Sequence, residues 1–273
     1  MVKQRPLILI SNDDGVQAEG LELLVKTVAP LADVFVVAPE VQQSGMSSAV
    51  SCNSDVELRC VKCEPGLKVY AASGTPVDCV KLAFYTVCKD RRPDLVLAGI
   101  NKGTNSSINV VYSGTMGAVI EGCINGIPSV GFSQCCNYSE PVDYSYGLPI
   151  IRQLVEDLLI GAVCVPNGVC LNVNFPIGPI EGGLQWCSQA RSRWTKEFDY
   201  AGENKETKNP LYTLGGEFVC LEPEKEGTDE YVLAHHGASC VPLNIDMTDH
   251  VFLSAIKRKL INTSKKDYRD GLR

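Results

Sequence analysis

Two hydrophobic periods alternate along the first two thirds of the chain. Short, nearly continuous apolar runs fall at Leu7–Ser11, Asp33–Ala38, Leu67–Ala72, Asp94–Gly99, Ser129–Ser133 and Val169–Asn174. Runs of that length and density predict strands buried on both faces. Between them, apolar residues recur at helical spacing over Gly20–Val28, Val77–Cys88, Gly114–Asn125 and Leu148–Ile160. Pro30 stops the first of these helices, and Pro76 occupies the first turn of the second, where a missing N–H costs nothing. Strands alternating with helices through short connections predict an α/β fold, a mostly parallel sheet covered on both faces.

The pattern changes after about Pro176. The stretch Tyr200–Pro210 (YAGENKETKNP) is polar and turn-rich and reads as an exposed loop. Glu217–Leu221 reads as a hairpin strand, and Thr228–His236 as a short helix with Thr228 as N-cap. Phe252–Leu260 reads as a terminal helix. With no internal repeat and no low-complexity linker, the expectation is one domain over residues 1–273. It divides into a core of about 5–190, an extension of about 191–262 that packs on the core or on a neighbouring subunit, and a charged tail, 263–273.

Composition narrows the class. The 273 residues are 45% hydrophobic, enough for a true core, which excludes wholesale disorder. A net charge of −7 argues against a nucleic-acid partner, whose phosphates call for basic excess. No apolar run approaches the roughly 20 residues of a membrane span, so no membrane partner is expected. Thirteen cysteines is an odd number and rules out complete internal pairing. The N-terminal stretch MVKQRPLILISNDDG lacks the pattern of a secretory signal, so reduced thiols and a cytoplasmic setting are expected. Cys60 and Cys63 form a CxxC, and Cys135–Cys136 a vicinal pair, with no second CxxC or CxxH to complete a zinc site.

In open α/β sheets, ligands bind beyond the carboxyl ends of the strands. The residues that follow the first four core strands are therefore expected to share one edge: Asn12–Gly15, Pro39–Gly45, Ser73–Asp78 and Gly99–Asn105. Asp13 and Asp14 are the sharpest feature among them. Two adjacent carboxylates with no cation beside them in sequence repel each other, and a divalent ion removes that repulsion. Ser44, Asn101 and Asn105 add neutral oxygens, and an all-oxygen set suits Mg²⁺, Mn²⁺ or Ca²⁺. N-D-D-G is also ordinary turn chemistry, and the pair alone does not decide between the two. Ser113-Gly114-Thr115 directly precedes a helix, where Ser113 or Thr115 could cap it and free N–H groups could hold a phosphate. The three histidines, His235, His236 and His250, all lie late in the chain, so an early His–Ser or His–Cys nucleophile is excluded. There is no Walker A pattern and no GxGxxG. Carboxylates for a metal beside an anion cradle are what metal-assisted phosphoester hydrolysis requires.

The segments ILISNDDG, VVAPEVQQSG, SGTPVDCVKLA, PDLVLAGINKGTN and YSGTMGAVIEG, in this order, closely resemble the SurE family of survival-protein phosphatases. The resemblance covers roughly Leu7 to Pro176. It implies a Rossmann-like three-layer fold and hydrolysis of nucleoside 5′-monophosphates, with 3′-monophosphates as a second substrate class, by metal-activated water. It implies Asp13, Asp14, Ser44 and Asn101 as metal ligands for Mg²⁺ or Mn²⁺, with Asp13, Asp14 and Asn101 as the catalytic set. Asn105, Ser113, Gly114 and Thr115 fall on the family's phosphate-contacting positions. It also implies a homodimer or homotetramer assembled through the C-terminal region. Ser106-Ser107-Ile108-Asn109 departs from the family pattern and puts substrate contacts between Asn105 and Tyr112 in question. Two other readings compete: an aspartyl-nucleophile phosphatase, which looks for D-x-D where this chain has Gly15, and a nucleotide-binding regulatory module that has lost turnover.

Overall fold

The computed structural model describes residues 5–259. Its centre is a nine-stranded sheet. Five strands run parallel in the middle of it: β2 (Asp33–Pro39), β1 (Leu7–Ser11), β5 (Leu95–Lys102), β6 (Ser129–Gln134) and β7 (Val169–Phe175). On one side β4 (Leu67–Ala72) continues the parallel set, and β3 (Leu58–Glu64) closes the edge antiparallel. On the other side β13 (Ala238–Asn244) pairs antiparallel with β7, and β8 (Leu184–Trp186) pairs parallel with β13.

Successive residues of a strand face opposite ways, and β1 shows what that does to the core. Ile8 and Ile10 pack in one apolar layer with Leu21 and Leu24 of α1 (Glu19–Val28) and Ile151 and Leu154 of α4 (Leu148–Ile160). Leu7 and Leu9 pack in the opposite layer with Val80 of α2 (Pro76–Tyr85) and Met116 and Val119 of α3 (Gly114–Ile124). All four β1 side chains are fully buried, which is why the run carries no polar alternation. The three-layer α/β expectation therefore holds.

The local signals that set the boundaries are visible. Thr75 caps α2 through a capping box, its hydroxyl accepting from Asp78 N–H while the Asp78 carboxylate accepts from Thr75 N–H at 2.9 Å. That helix ends at Tyr85 and not at Cys88, because Thr86 leaves helical dihedrals and donates its hydroxyl to Leu82 O. Strand β5 runs past Gly99 to Lys102, which carries Asn101 to the sheet edge on a paired strand.

The C-terminal third departs most from the sequence reading. Tyr200–Pro210 is not a loop throughout. β10 (Phe198–Glu203) and β11 (Pro210–Leu214) form an antiparallel hairpin, with only 204–209 between them. The hairpin is exposed on both faces apart from Gly202, so nothing in its sequence shows the alternation that marks a half-buried strand. Its cross-strand pair Tyr200–Tyr212, an edge-on contact with centroids 5.9 Å apart, does the work of a core. The predicted hairpin strand at Glu217–Leu221 is β12 (Glu217–Cys220), paired with β9 (Ser192–Thr195). α5 (Asp229–Ala234) starts where expected, with the Thr228 hydroxyl accepting from Tyr231 N–H. Residues 250–259 are helical, while Leu260 and the 263–273 tail lie outside the described residues. β3 and β13 had no sequence expectation at all. β13 lies inside the main sheet although it belongs to the stretch read as an extension.

Candidate active site

The loop after β1 is built to hold two carboxylates at the sheet edge. Asn12 Nδ2 donates to Gly15 O at 2.9 Å and closes the turn. Gln43 N–H donates to Asp13 O at 2.7 Å, which brings the Ser44 loop alongside. From the other side, Lys102 N–H donates to Asp14 Oδ2 at 2.9 Å and ties the end of β5 to the pair. Asn101, one residue earlier, donates Nδ2 to Gly103 O at 2.8 Å. Its Oδ1 takes no hydrogen bond among the described residues. The ends of β1, β2 and β5 thus meet at one place, as the strand-end rule requires.

Asp13 is 4% exposed. The Thr115 hydroxyl donates to its Oδ1, and burial, with Asp14 adding repulsion, pushes its pKa up to about 6. Burial also raises Asp14, against the pull of the Lys102 amide and ammonium. Neither carboxylate forms an ion pair among the described residues. Beside them Asn12 Oδ1 is buried without a hydrogen-bond partner. No three His, Cys, Asp or Glu side chains converge on one point among the described residues, so a cation here depends on amide and hydroxyl oxygen as well. Two carboxylates, the Asn101 amide oxygen and the Ser44 hydroxyl form a hard-oxygen set that fits a Mg²⁺- or Mn²⁺-type ion. Buried negative charge held by no ion pair among the described residues is what a bound cation would relieve.

The N-terminus of α3 points at the same place. Ser113 caps it by accepting from Met116 N–H at 3.0 Å. Thr115 is fully buried, and its hydroxyl goes to Asp13. It therefore orients a carboxylate instead of lying open to the cavity. Gly114 permits this close approach: a Cβ there would stand 2.8 Å from Asp13 Cβ and 3.0 Å from its Oδ2. Gly114→Ala is accordingly expected to displace Asp13 or the helix, lowering activity at least tenfold and stability by about 1–3 kcal/mol. Kinetics and urea melts on the variant check both.

These groups open onto a cavity of about 670 Å³. Asp13, Ser44, Asn101, Asn105 and Ser113 are among the side chains that line it. Asp14, Gly114 and Thr115 do not line it. Asn105 is held by its neighbours: Nδ2 donates to Ser133 Oγ, and its N–H to Asn174 Oδ1, each at 2.8 Å.

A family model described as "Survival protein SurE" matches residues 8–196. A 5′-nucleotidase SurE from Phocaeicola vulgatus is 43% identical over 261 residues, covering 94% of this chain and 98% of the relative. One from Chlorobaculum tepidum is 36% identical over 266 residues, covering 96% and 98%. The crystal structure of a SurE protein from Aquifex aeolicus superposes with a TM-score of 0.74 at 28% identity, covering 93% of this chain and 99% of that one. The chain belongs to the SurE family.

Against that membership, several cavity residues escaped the sequence reading. Cys135, Cys136 and Tyr138 line the wall and follow β6. The strand-end rule applied to that strand as well as to the first four would have found them. Gly103, at φ +114°, faces Tyr138 so closely that a Cβ would stand 2.2 Å from its hydroxyl. Trp194, Glu197, Leu214 and Gly215 close the cavity from the C-terminal third, and no motif marked them. All thirteen cysteines are free thiols, and burial pushes Cys135, Cys170 and Cys240 up to about 12. Cys88, which the sequence put in a helix, lies just beyond α2.

Proposed function

We propose that this SurE-family phosphoric monoester hydrolase cleaves nucleoside 5′-monophosphates to nucleoside and phosphate. A divalent cation, Mg²⁺ or Mn²⁺, would be held by Asp13, Asp14, Ser44 and Asn101. The observation that carries the reading is the buried Asp13 carboxylate, without an ion pair among the described residues, in the lining of a cavity large enough for a nucleotide. The names of the relatives, 5′-nucleotidase SurE, support the substrate class. When bound, the cation supplies charge neutralisation for the phosphoryl oxygens and lowers the pKa of a water.

The chain's own groups do the rest. Thr115 fixes the Asp13 carboxylate, and the Lys102 amide fixes that of Asp14. The free N–H of Gly114 and the positive end of α3 favour a phosphoryl group beside Ser113. Asn105 can turn its amide over and present Nδ2 to that group, with the Ser133 hydroxyl then donating to Oδ1. 3′-Monophosphates enter the same phosphate site with the nucleoside reversed.

The reading extends to assembly and setting. The β10–β11 hairpin exposes Phe198, Tyr200, Tyr212 and Leu214, a surface that a second copy of the chain would cover, so we read the protein as a homodimer or homotetramer of single-domain subunits. No helix among the described residues is long and apolar enough to cross a membrane. Thirteen free thiols fit a cytoplasmic, reducing setting.

Phosphate release from AMP and GMP tests the function. Release should need Mg²⁺ or Mn²⁺, vanish in EDTA and return with excess metal. Release that survives EDTA overturns the metal site. Tight nucleotide binding with no release under any metal would establish the regulatory-module reading in its place.

A further inference from the structure

The cavity that Asp13, Asn101 and Asn105 line is also lined by aromatic side chains. Trp194, on β9, lines it with Glu197, Leu214 and Gly215 from the C-terminal third and Tyr112 and Tyr138 from the core. The indole is fixed in three ways. Its Nε1–H donates to Asn109 Oδ1 at 2.8 Å. Phe218, its cross-strand partner on β12, meets it edge-on with ring centroids 5.7 Å apart. Gly216 lies against the six-membered ring, where an added Cβ would stand 3.2 Å from Cε3. Asn109 belongs to a short 3₁₀ turn, Ser107–Val111, which is itself bonded to β9 through the hydroxyls of Ser107 and Ser192 at 2.5 Å.

A rigidly held aromatic ring on a cavity wall is a stacking surface, and a hydrogen bond made at the ring edge leaves its face free to stack. The phosphate position is set by Ser113 and Asn105, and the same cavity continues to Trp194. A nucleotide whose phosphate sits at Ser113 and Asn105 has its base as the one aromatic element left to meet an indole. We infer that Trp194 is the platform on which the nucleobase stacks, and that Asn109 is a positioning residue that sets the plane of that ring. This rests on the nucleotidase reading and adds the base subsite to it. It also gives the divergent 106–109 stretch a role: Asn109 reaches a base-facing ring and not the phosphate.

The test compares AMP with ribose 5-phosphate, which shares the sugar and phosphate but has no base. Base–aromatic stacking is worth about 1–3 kcal/mol, so Trp194→Ala should lower the ratio of AMP to ribose 5-phosphate kcat/KM about tenfold or more, through the KM for AMP. Trp194→Phe should keep most of the ratio, and Asn109→Ala should fall between the two. Equal losses on both substrates would show a merely structural role and overturn the inference. A binding readout stands apart from turnover. The chain has two tryptophans, so in a Trp186→Phe background the fluorescence is that of Trp194 alone. AMP should quench it in Mg²⁺ buffer, and ribose 5-phosphate should not. Quenching without phosphate release would defeat the nucleotidase reading and keep the base platform. Phosphate release from AMP without quenching would do the reverse.

Discussion

Asp13→Asn is expected to have two opposite effects: loss of metal-dependent phosphate release and a more stable metal-free protein. The first follows from ligand chemistry. An amide in place of the buried carboxylate removes a charge that the cation needs. Activity should fall by more than about a hundredfold, the upper end of what losing even a ligand's supporting partner costs. Asp14→Asn should also fall steeply. The second effect follows from linkage. Asp13 has a folded pKa of about 6 against an ordinary 3.8. Between those values the folded chain binds more protons than the unfolded one, so stability falls as pH rises through the window. Above pH 6 the full cost stands, about 3 kcal/mol at roughly 1.4 kcal/mol per pKa unit. Asparagine has no such cost and can still accept from Thr115. In EDTA at pH 8, urea midpoints should place the variant above the wild type, and the gap should close towards pH 4. Added Mg²⁺ should then raise the Tm of the wild type and not that of the variant. A variant less stable than wild type in EDTA at pH 8 would refute the account of Asp13 as a site kept charged for a cation.

How much of this could be read from sequence depends on where the physical cause lies. The β1 run and the place of the Asp13-Asp14 pair were legible because each is local: an uninterrupted apolar run is a strand buried on both faces, and the carboxylates directly follow its end. The convergence of Ser44 and Asn101 was legible through one topological rule, that parallel strands deliver their C-terminal ends to one edge. The role of Thr115 was not. Capping chemistry pointed to an open hydroxyl at a helix start, and only the packing of α3 against the Asp13 loop shows that hydroxyl committed to a carboxylate. β13 was hidden because Pro242 and a Ser-Cys pair break up an otherwise buried strand, which the sheet accepts next to β7. The β10–β11 hairpin was hidden for the opposite reason, since an exposed ribbon has no buried face to impose a period. Trp194 lies on the half-buried β9–β12 pair, and its place in the cavity is fixed by a contact with Asn109 across 85 residues of chain. Long-range pairing of that kind leaves no mark in local sequence.

Asp229 is the joint that makes this long-range arrangement possible, and removing it should be among the costliest single changes in the chain. It is fully buried. Its Oδ2 accepts from Ser107 N–H at 2.7 Å, and its Oδ1 from Ala190 N–H at 2.8 Å and Glu230 N–H at 2.9 Å. One carboxylate thus satisfies donors on the turn behind the phosphate site, on the segment leading into β9 and on the start of α5. Burial raises its pKa while those three N–H groups pull it down, so the dipoles are what keep it in place. Ser107 sits at φ +54°, a conformation a serine seldom adopts unless its neighbours impose it. Asp229→Ala leaves two buried donors and one part-buried donor without acceptors, at about 1–3 kcal/mol for each buried one before relaxation, and a net loss of about 3–5 kcal/mol is expected. Asp229→Asn should recover little, because one amide face turns a donor towards a donor. In urea melts, a loss under 1 kcal/mol for both variants would show that the joint is not the carboxylate. At temperatures where Asp229→Ala stays folded, Trp194 should lose its fixed position before Asp13 does. Asp13 is held by β1 and α3, whereas Trp194 depends on the very segments that Asp229 ties together. The discrimination between AMP and ribose 5-phosphate should therefore decline more than phosphate release itself.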